Sequence, residues 1–390
     1  MKELLQKAYA QKEEIIRARR RIHSLAEWGC ELPKTKDFVK QALQNYGYEP
    51  KSCGACGLTA ELCGKAENAP VILLRADMDA LPMREETRLP FRAEGGGMHA
   101  CGHDMHTAML LGAARLLKEY EGNLPFRIRF AFEGGEETLT GARDMLSHGV
   151  LTDVAAAVML HVIPALPLPT GRVLLPSAGV GAPAACFFHA ETRGRAAHVG
   201  ERERGEDALL SAVRLYGRIR EESEAAGVFL SVGTLYAGDA PNIVPARATL
   251  AGSFRAWEEE RVTRFRDTLS EIAGEMGARL SFLGDCPPLK NEGRGRDILE
   301  KTLPAMGFST LTPTEGRGNA AEDFAHFAAH VPAICLGLAA GEREHGYDCS
   351  LHHPAVLFDE DALPIGAALY AACALSLGAQ LHTFTNPPSA

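Results

Sequence analysis

The chain is short of positive charge: 41 lysines and arginines stand against 50 aspartates and glutamates, a formal net charge of −9. That balance argues against a nucleic-acid binder and against a polybasic membrane anchor. Internal repeats and low-complexity tracts are absent. Cysteine is too thin for a disulfide scaffold, with ten in 390 residues: Cys30, Cys53, Cys56, Cys63, Cys101, Cys186, Cys286, Cys335, Cys349 and Cys373. A chain of this length buries a large core without covalent staples, so the expectation is a reducing compartment, the cytoplasm, with mostly buried thiols. Cys53-Gly54-Ala55-Cys56 has CxxC spacing with Cys63 nearby, but no second CxxC and no close histidine. It reads as an incidental pair in a hairpin. The N-terminal stretch MKELLQKAYAQKEEIIRARRRIH is charged and helical and lacks the apolar region of a secretory signal. One stretch, Leu363–Leu381, runs 19 residues without a charge. It is rich in Ala and Gly, carries Pro364, Ser376 and Gln380, and has no flanking Lys or Arg, so it reads as a buried C-terminal helix and not a membrane span.

What remains is an ordinary globular composition, 46% hydrophobic, and at about 150 residues per domain the length suggests two or three domains. Residues 2–20 and 35–46 read as helices. Val71–Leu74, Phe126–Phe132, Ala155–Leu160 and Pro332–Leu338 read as strands, with helical patterns at Thr107–Tyr120, Gly141–His148 and Asp323–His330. This alternation predicts an α/β layer fold with a mixed, mostly parallel sheet flanked by helices. The middle differs. Strands at 183–192, Phe229–Leu235, Ala246–Phe254 and Arg279–Leu283 and helices at Asp207–Ala225 and Glu258–Met276 follow the ferredoxin-like βαββαβ order. Residues 183–290 therefore read as an α+β insert in a domain made of 1–182 and 291–390.

Each predicted parallel strand leads into acidic or metal-competent groups. Asp77 and Asp79 follow Leu74, Glu136 and Glu137 follow Phe132, and His161 follows Leu160. Cys101 and His103 precede the Thr107 helix, and His352 and His353 come after the 332–338 strand. Ligands of open α/β sheets bind outside the carboxyl ends of the strands, so these distant segments converge on one rim. Thiolate, imidazole and carboxylate together suit a divalent metal centre. Gly102 lets Cys101 and His103 turn toward one point, and Gly134-Gly135 permit a sharp turn before two adjacent glutamates, one able to hold metal while the other moves a proton.

The segments RRRIH (19–23), RADMDALP (75–82), MHACGHDMHTAML (98–110), GGEE (134–137), LH (160–161), APNIVP (240–245), AEDF (321–324) and LHHP…DEDAL (351–363) resemble the metal-dependent aminoacylases and amidohydrolases. That group includes hippurate hydrolases, N-acyl-amino-acid amidohydrolases and auxin-conjugate hydrolases, and is related to di-zinc carboxypeptidases. The resemblance implies two divalent ions per subunit (zinc, manganese, nickel or cobalt), bridged by Cys101 and completed by His103, Glu137, His161 and His352. It implies Glu136 as the base that deprotonates the attacking water and later protonates the leaving amine. His198 would reach the partner subunit's site in a homodimer and stabilise the oxyanion, with Asn242 and Arg255 on the substrate carboxylate. Asp77 and Asp79 would support a ligand histidine, His99 and His106 the loop and helix start, and Arg75 would form a salt bridge. In the second histidine pair, His352 is preferred to His353 because the LH-x-P pattern places the ligand directly after Leu351.

The chain departs from the family at His23-Ser24-Leu25-Ala26-Glu27, at Glu133-Gly134-Gly135 before the glutamates, and in the charged loop Val199–Arg204. These changes bear on substrate and loop shape more than on the metal ligands. The implied activity is hydrolysis of the amide bond of an N-acyl amino acid or a similar small amide with a free carboxylate. Two alternatives stand beside it: a dipeptidase or carboxypeptidase with the same di-metal chemistry, and a catalytically inactive metal-binding scaffold.

Overall fold

The computed structural model describes residues 2–313 and 319–381. Residues 1, 314–318 and 382–390 of the two segments expected to form the larger domain lie outside the described residues. The chain divides into two units, one of Met1–Gly181, Lys290–Gly316 and His326–Ala390, the other of Ala182–Leu289 and Arg317–Ala325.

In chain order the larger unit begins with α1 (Lys2–Ala10), α2 (Lys12–Leu25), α3 (Pro33–Asn45), β1 (Lys51–Cys53), β2 (Gly57–Leu62), β3 (Val71–Asp77), α4 (His103–Leu117), β4 (Arg127–Glu133), α5 (Gly141–Ser147), β5 (Val154–Ile163) and β6 (Val173–Leu174). The smaller unit contributes β7 (Ala184–Arg193), α6 (Ala208–Ala226), β8 (Phe229–Ala237), β9 (Arg247–Ala256), α7 (Glu259–Glu275) and β10 (Arg279–Cys286). The larger unit resumes with α8 (Gly293–Ala305), β11 (Thr310–Leu311), β12 (Ala333–Ala339) and α9 (Ala362–Gly378).

The main sheet runs β1-β2-β4-β3-β5-β12-β6-β11. Its centre, β4-β3-β5-β12, is parallel, while β2 pairs antiparallel with β4 and β6 with β12. Every residue of β3 is buried, as expected of a strand covered on both faces. The uncharged C-terminal stretch is α9, embedded in the core with Leu363, Tyr370 and Leu377 fully buried. Among the described residues no helix is long and apolar enough to cross a membrane. Its small residues allow close packing on α4: a Cβ at Gly112 would lie 2.9 Å from Ala367 Cβ, and one at Gly366 would collide with Met109 Sδ. Gly366→Val should therefore destabilise the protein by about 1–3 kcal/mol through overpacking, read as a lower denaturant midpoint at unchanged slope.

In the smaller unit the sheet order is β8-β9-β7-β10 and all pairs are antiparallel, the ferredoxin-like arrangement. Helices α6 and α7 bury Leu215, Ile219, Phe265 and Leu269 in one cluster with Phe188 and Phe254 of the sheet. Strand β8 is an edge, and Phe229, Leu235 and Tyr236 on it are exposed.

Three expectations need correction. The helix expected over 2–20 is broken at Gln11, so that Leu4 and Ala8 of α1 and Ile15, Ile16 and Ile22 of α2 are all buried. The helix expected over 323–330 is a single turn, Ala325–Ala328. Finally, the thiols are not all reduced: Cys56 forms a disulfide with Cys30, 26 residues away, with Cα atoms 4.3 Å apart. The β1–β2 hairpin instead buries Cys53, whose thiol points to the Met145 carbonyl at 3.6 Å.

Candidate metal centre

Parallel strands set one rim of the larger unit. Asp77 ends β3 directly opposite Glu133, the last residue of β4, and His161 lies near the carboxyl end of β5. Gly102, at φ 86°, supplies the left-handed turn that opens α4 between Cys101 and His103. Asp104 places negative charge in the first turn of that helix, where the dipole favours it. Gly135, at φ 85°, makes the turn before Glu136 and Glu137. Asp79 then fixes that turn: its two carboxylate oxygens accept the backbone N–H groups of Glu136 (3.2 Å) and Glu137 (3.1 Å).

Hydrogen bonds determine which ring nitrogens are available. His103 Nδ1 donates to the Asp79 carbonyl at 2.9 Å, so Nε2 carries the lone pair. That Nε2 is buried with no hydrogen-bond partner among the described residues. His161 Nδ1 donates to the Val162 carbonyl at 2.8 Å and presents Nε2 to Cys101 Sγ at 3.5 Å. The ligand atoms of Cys101, His103 and His161 all lie within 4.8 Å of one another, as do those of Cys101, Glu137 and His352. Cys101 belongs to both groups. His352 reaches Glu137 Oε1 at 3.4 Å from a left-handed backbone, φ 63°, which a non-glycine residue adopts only when its surroundings enforce it. Its own N–H is held by the Ala100 carbonyl at 2.9 Å. Glu136 is buried, with its carboxylate 3.8 Å from His103 Nε2.

His106 is excluded as a ligand because both nitrogens are used. Nδ1 donates to Asp77 at 2.6 Å and Nε2 accepts the Val162 N–H at 2.8 Å, which anchors β5 beside His161. Asp77 in turn receives the Arg75 guanidinium at 2.7 Å, and Arg75 also bonds Glu133 at 2.9 Å. His99 is buried, and both its nitrogens lack hydrogen-bond partners among the described residues.

Burial disfavours the charge on Asp77, but the imidazoles of His103 and His106 and the Arg75 guanidinium outweigh it and hold the carboxyl well below its ordinary range. Burial and then the Glu137 charge push the Cys101 thiol well above its ordinary value. Burial opposes protonation of His103, yet Asp77 and Cys101 raise it well above the usual imidazole range. Burial lowers His161 below that range and takes His106 down to about 4. Among the described residues His103 Nε2 and Glu137 Oε1 are buried without hydrogen-bond partners, and with the thiol–imidazole–carboxylate donor set they fit a divalent-metal centre.

The remaining predicted residues lie in the smaller unit. His198 and Asn242 are neighbours, since His198 pairs with Ile243 and the Val199 N–H bonds the Asn242 carbonyl at 3.1 Å; both side chains are exposed. Arg255 stands elsewhere. It lies eight residues beyond Arg247 on β9, roughly 26 Å along the strand. Its Nη1 donates to the Asn319 carbonyl at 2.5 Å, and its Nε is buried without a hydrogen-bond partner among the described residues. Asn242 precedes β9, and Arg255 is the last residue but one of that strand.

Several supporting residues escaped the sequence reading. Asp104 accepts hydrogen bonds from Arg19 (2.7 Å) and His23 (2.8 Å), and His23 also faces Glu85 at 3.1 Å. Tyr370 of α9 donates to the Arg75 carbonyl at 2.7 Å and accepts the Leu160 N–H at 3.2 Å. Arg19 and His23 stand in the RRRIH segment and Asp104 within MHACGHDMH; Tyr370 carries no local signal.

A mostly parallel α/β unit with acidic, thiol and imidazole groups at its strand ends, in a chain that also carries a ferredoxin-like unit, defines a metal-dependent hydrolase. Residues 73–376 match peptidase family M20/M25/M40, and the chain belongs to that family. It is similar to the N-acetyl-L-cysteine deacetylase of Bacillus subtilis, 30% identical over 90% of this chain and 85% of the relative. It is similar also to the IAA-amino acid hydrolase ILR1-like 6 of Arabidopsis thaliana, 32% identical over 92% and 79%. Among solved structures it resembles the Bacillus subtilis YXEP protein, a dinuclear metal binding peptidase from the M20 family, with a TM-score of 0.71 and 27% identity over 96% of this chain and 99% of that one.

Proposed function

We propose that the enzyme hydrolyses the amide bond of N-acyl amino acids, or of similar small amides with a free carboxylate, using two divalent cations held by Cys101, His103, Glu137, His161 and His352. The observation that carries this reading is that Cys101 belongs to two ligand groups at once, with Glu136 buried beside them. The named activities of the deacetylase and the IAA-amino acid hydrolase support the substrate class. The ions would be zinc, manganese, nickel or cobalt; a shared thiolate would favour the softer of these without selecting one, and a reducing cytoplasm would keep Cys101 available.

Bound there, the cations would polarise the amide carbonyl and make water acidic near neutral pH. Glu136 takes the proton of the attacking water and delivers it to the amine as the C–N bond breaks. Asp79, through the Glu136 and Glu137 amides, keeps both carboxylates in register. Arg255 offers a planar fork to the substrate carboxylate. His198 and Asn242 act in trans, from a second copy of the chain: His198 donates to the oxyanion and Asn242 to the carboxylate. Their separation from Arg255 within one chain supports this arrangement. So does the edge strand β8, whose unpaired backbone and exposed Phe229, Leu235 and Tyr236 suit pairing with a second copy in a homodimer.

The peptidase description of YXEP favours one second reading, a dipeptidase acting through the same site. Parallel panels of N-acyl amino acids and dipeptides, with and without chelator, separate the two. We expect kcat/KM at least about tenfold higher on the acylated panel, and His198→Ala to lower kcat by about 10²–10³. Dipeptide preference would replace the first reading by the second, and silence on both panels with ions bound would leave an inactive scaffold.

A further inference from the structure

We infer that the Cys30–Cys56 disulfide is a redox-responsive clamp on the turn that carries Glu136 and Glu137, opened by a dithiol reductant. The bridge grips that turn from two sides. Cys56 sits at the tip of the β1–β2 hairpin; its carbonyl accepts the Gly134 N–H at 3.1 Å, and its N–H donates to Asp144 of α5 at 2.9 Å. Cys30 Sγ lies 3.6 Å from Thr140 Oγ1, and the Thr140 N–H bonds the Gly135 carbonyl at 3.1 Å. The turn has room for the bridge only because it lacks side chains. A Cβ at Gly135 would come within 2.8 Å of Cys30 Sγ, and one at Gly134 within 2.7 Å of Leu32 Cδ1 and 3.2 Å of the Cys56 carbonyl. The segment before Cys30 is tied to the other wall of the centre: Trp28 bridges Ala80, and the Ala80 N–H bonds the Glu27 carbonyl at 2.8 Å, next to Asp79. The disulfide thus closes a frame around the peptide groups that Asp79 holds. With it cut, the 27–30 segment and the hairpin are joined here by no covalent bond other than the chain itself.

A disulfide in a reducing compartment is transient and redox-sensing. Cys30 is the more exposed of the pair, and Cys56 is buried. A reductant thiolate attacks Cys30 Sγ, the S–S bond breaks, and Cys56 leaves as thiolate; the reductant's second thiol then resolves the mixed disulfide. Two electrons and two protons pass to Cys30 and Cys56, and the dithiol becomes a disulfide. Cys30 and Cys56 are positioning residues here, since neither touches substrate. The effect on turnover rests on the hydrolase reading given above; the bridge and the mobility of the turn do not.

The test is made on the full chain, air-oxidised or treated with dithiothreitol. Alkylation after unfolding should label eight of the ten cysteines in the oxidised protein and all ten after reduction. Hydrogen exchange in the 133–141 segment should rise on reduction. Turnover should fall about tenfold with KM changed less than about twofold, and reoxidation should restore it. The Cys30→Ser/Cys56→Ser variant should sit at the reduced level and ignore dithiothreitol, which also separates reduction from metal chelation by the reagent; Cys30→Ala serves if the double variant melts early. Ten labelled thiols in the oxidised protein, unchanged exchange over 133–141, or a variant that responds like the parent would overturn the clamp. If neither redox state turns over any substrate, the hydrolase reading fails, while the thiol counts and exchange still decide the clamp.

Discussion

Glu136→Gln leaves the metal content unchanged and lowers kcat by about 10²–10⁴, the range of a positioned acid–base group. Glutamine keeps the volume of the side chain, and the backbone N–H that Asp79 holds at 3.2 Å is not altered, so the turn and Glu137 stay in place. What is lost is the ability to accept a proton. The carboxylate is buried and 3.8 Å from His103 Nε2; it groups with His103 and Glu137 and stands outside the two groups that share Cys101. KM should move little, because the loss falls on the chemical step. Elemental analysis beside steady-state kinetics checks both halves. Turnover within about threefold of the parent would remove Glu136 from the role of base.

The second large effect concerns ion stoichiometry. Cys101→Ala removes the atom common to both ligand groups and should cost both ions and all measurable hydrolysis. His161→Ala touches only the group with Cys101 and His103, and His352→Ala only the group with Cys101 and Glu137. Each should lose about one ion and reduce kcat/KM by at least about a hundredfold, on the scale of a lost metal contact. Equal losses in all three variants would mean that the ions bind as one cooperative unit; retention of both ions by Cys101→Ala would exclude the thiolate bridge.

The fold was legible where the hydrophobic period was clear. The fully buried run of β3 and the alternation at the start of β4 mark both as strands without any structural knowledge, and the βαββαβ order of the smaller unit follows from the same periods. The break at Gln11 was not legible, because the charged residues around it suit a continuous helix as well as two. In the centre, the five side chains named as ligands lie together because strand ends converge by topology, which the alternation of elements already implies. Other features depend on facing, which spacing does not encode. His106 lies three residues from His103 on α4 but spends both nitrogens on Asp77 and Val162. CxxC spacing draws attention to Cys53 and Cys56, yet the hairpin turns Cys53 into the core and Cys56 toward Cys30. Asn242 and Arg255 are only 13 residues apart in the chain, and the extended strand β9 carries them to different places.

The most direct test is anomalous scattering from crystals of the protein loaded with manganese or zinc. Two peaks per chain are predicted, one contacted by Cys101 Sγ, His103 Nε2 and His161 Nε2, the other by Cys101 Sγ, Glu137 and His352. A single peak, or peaks that leave Cys101 untouched while the crystals' enzyme still cleaves N-acyl amino acids, would contradict the shared-thiolate centre.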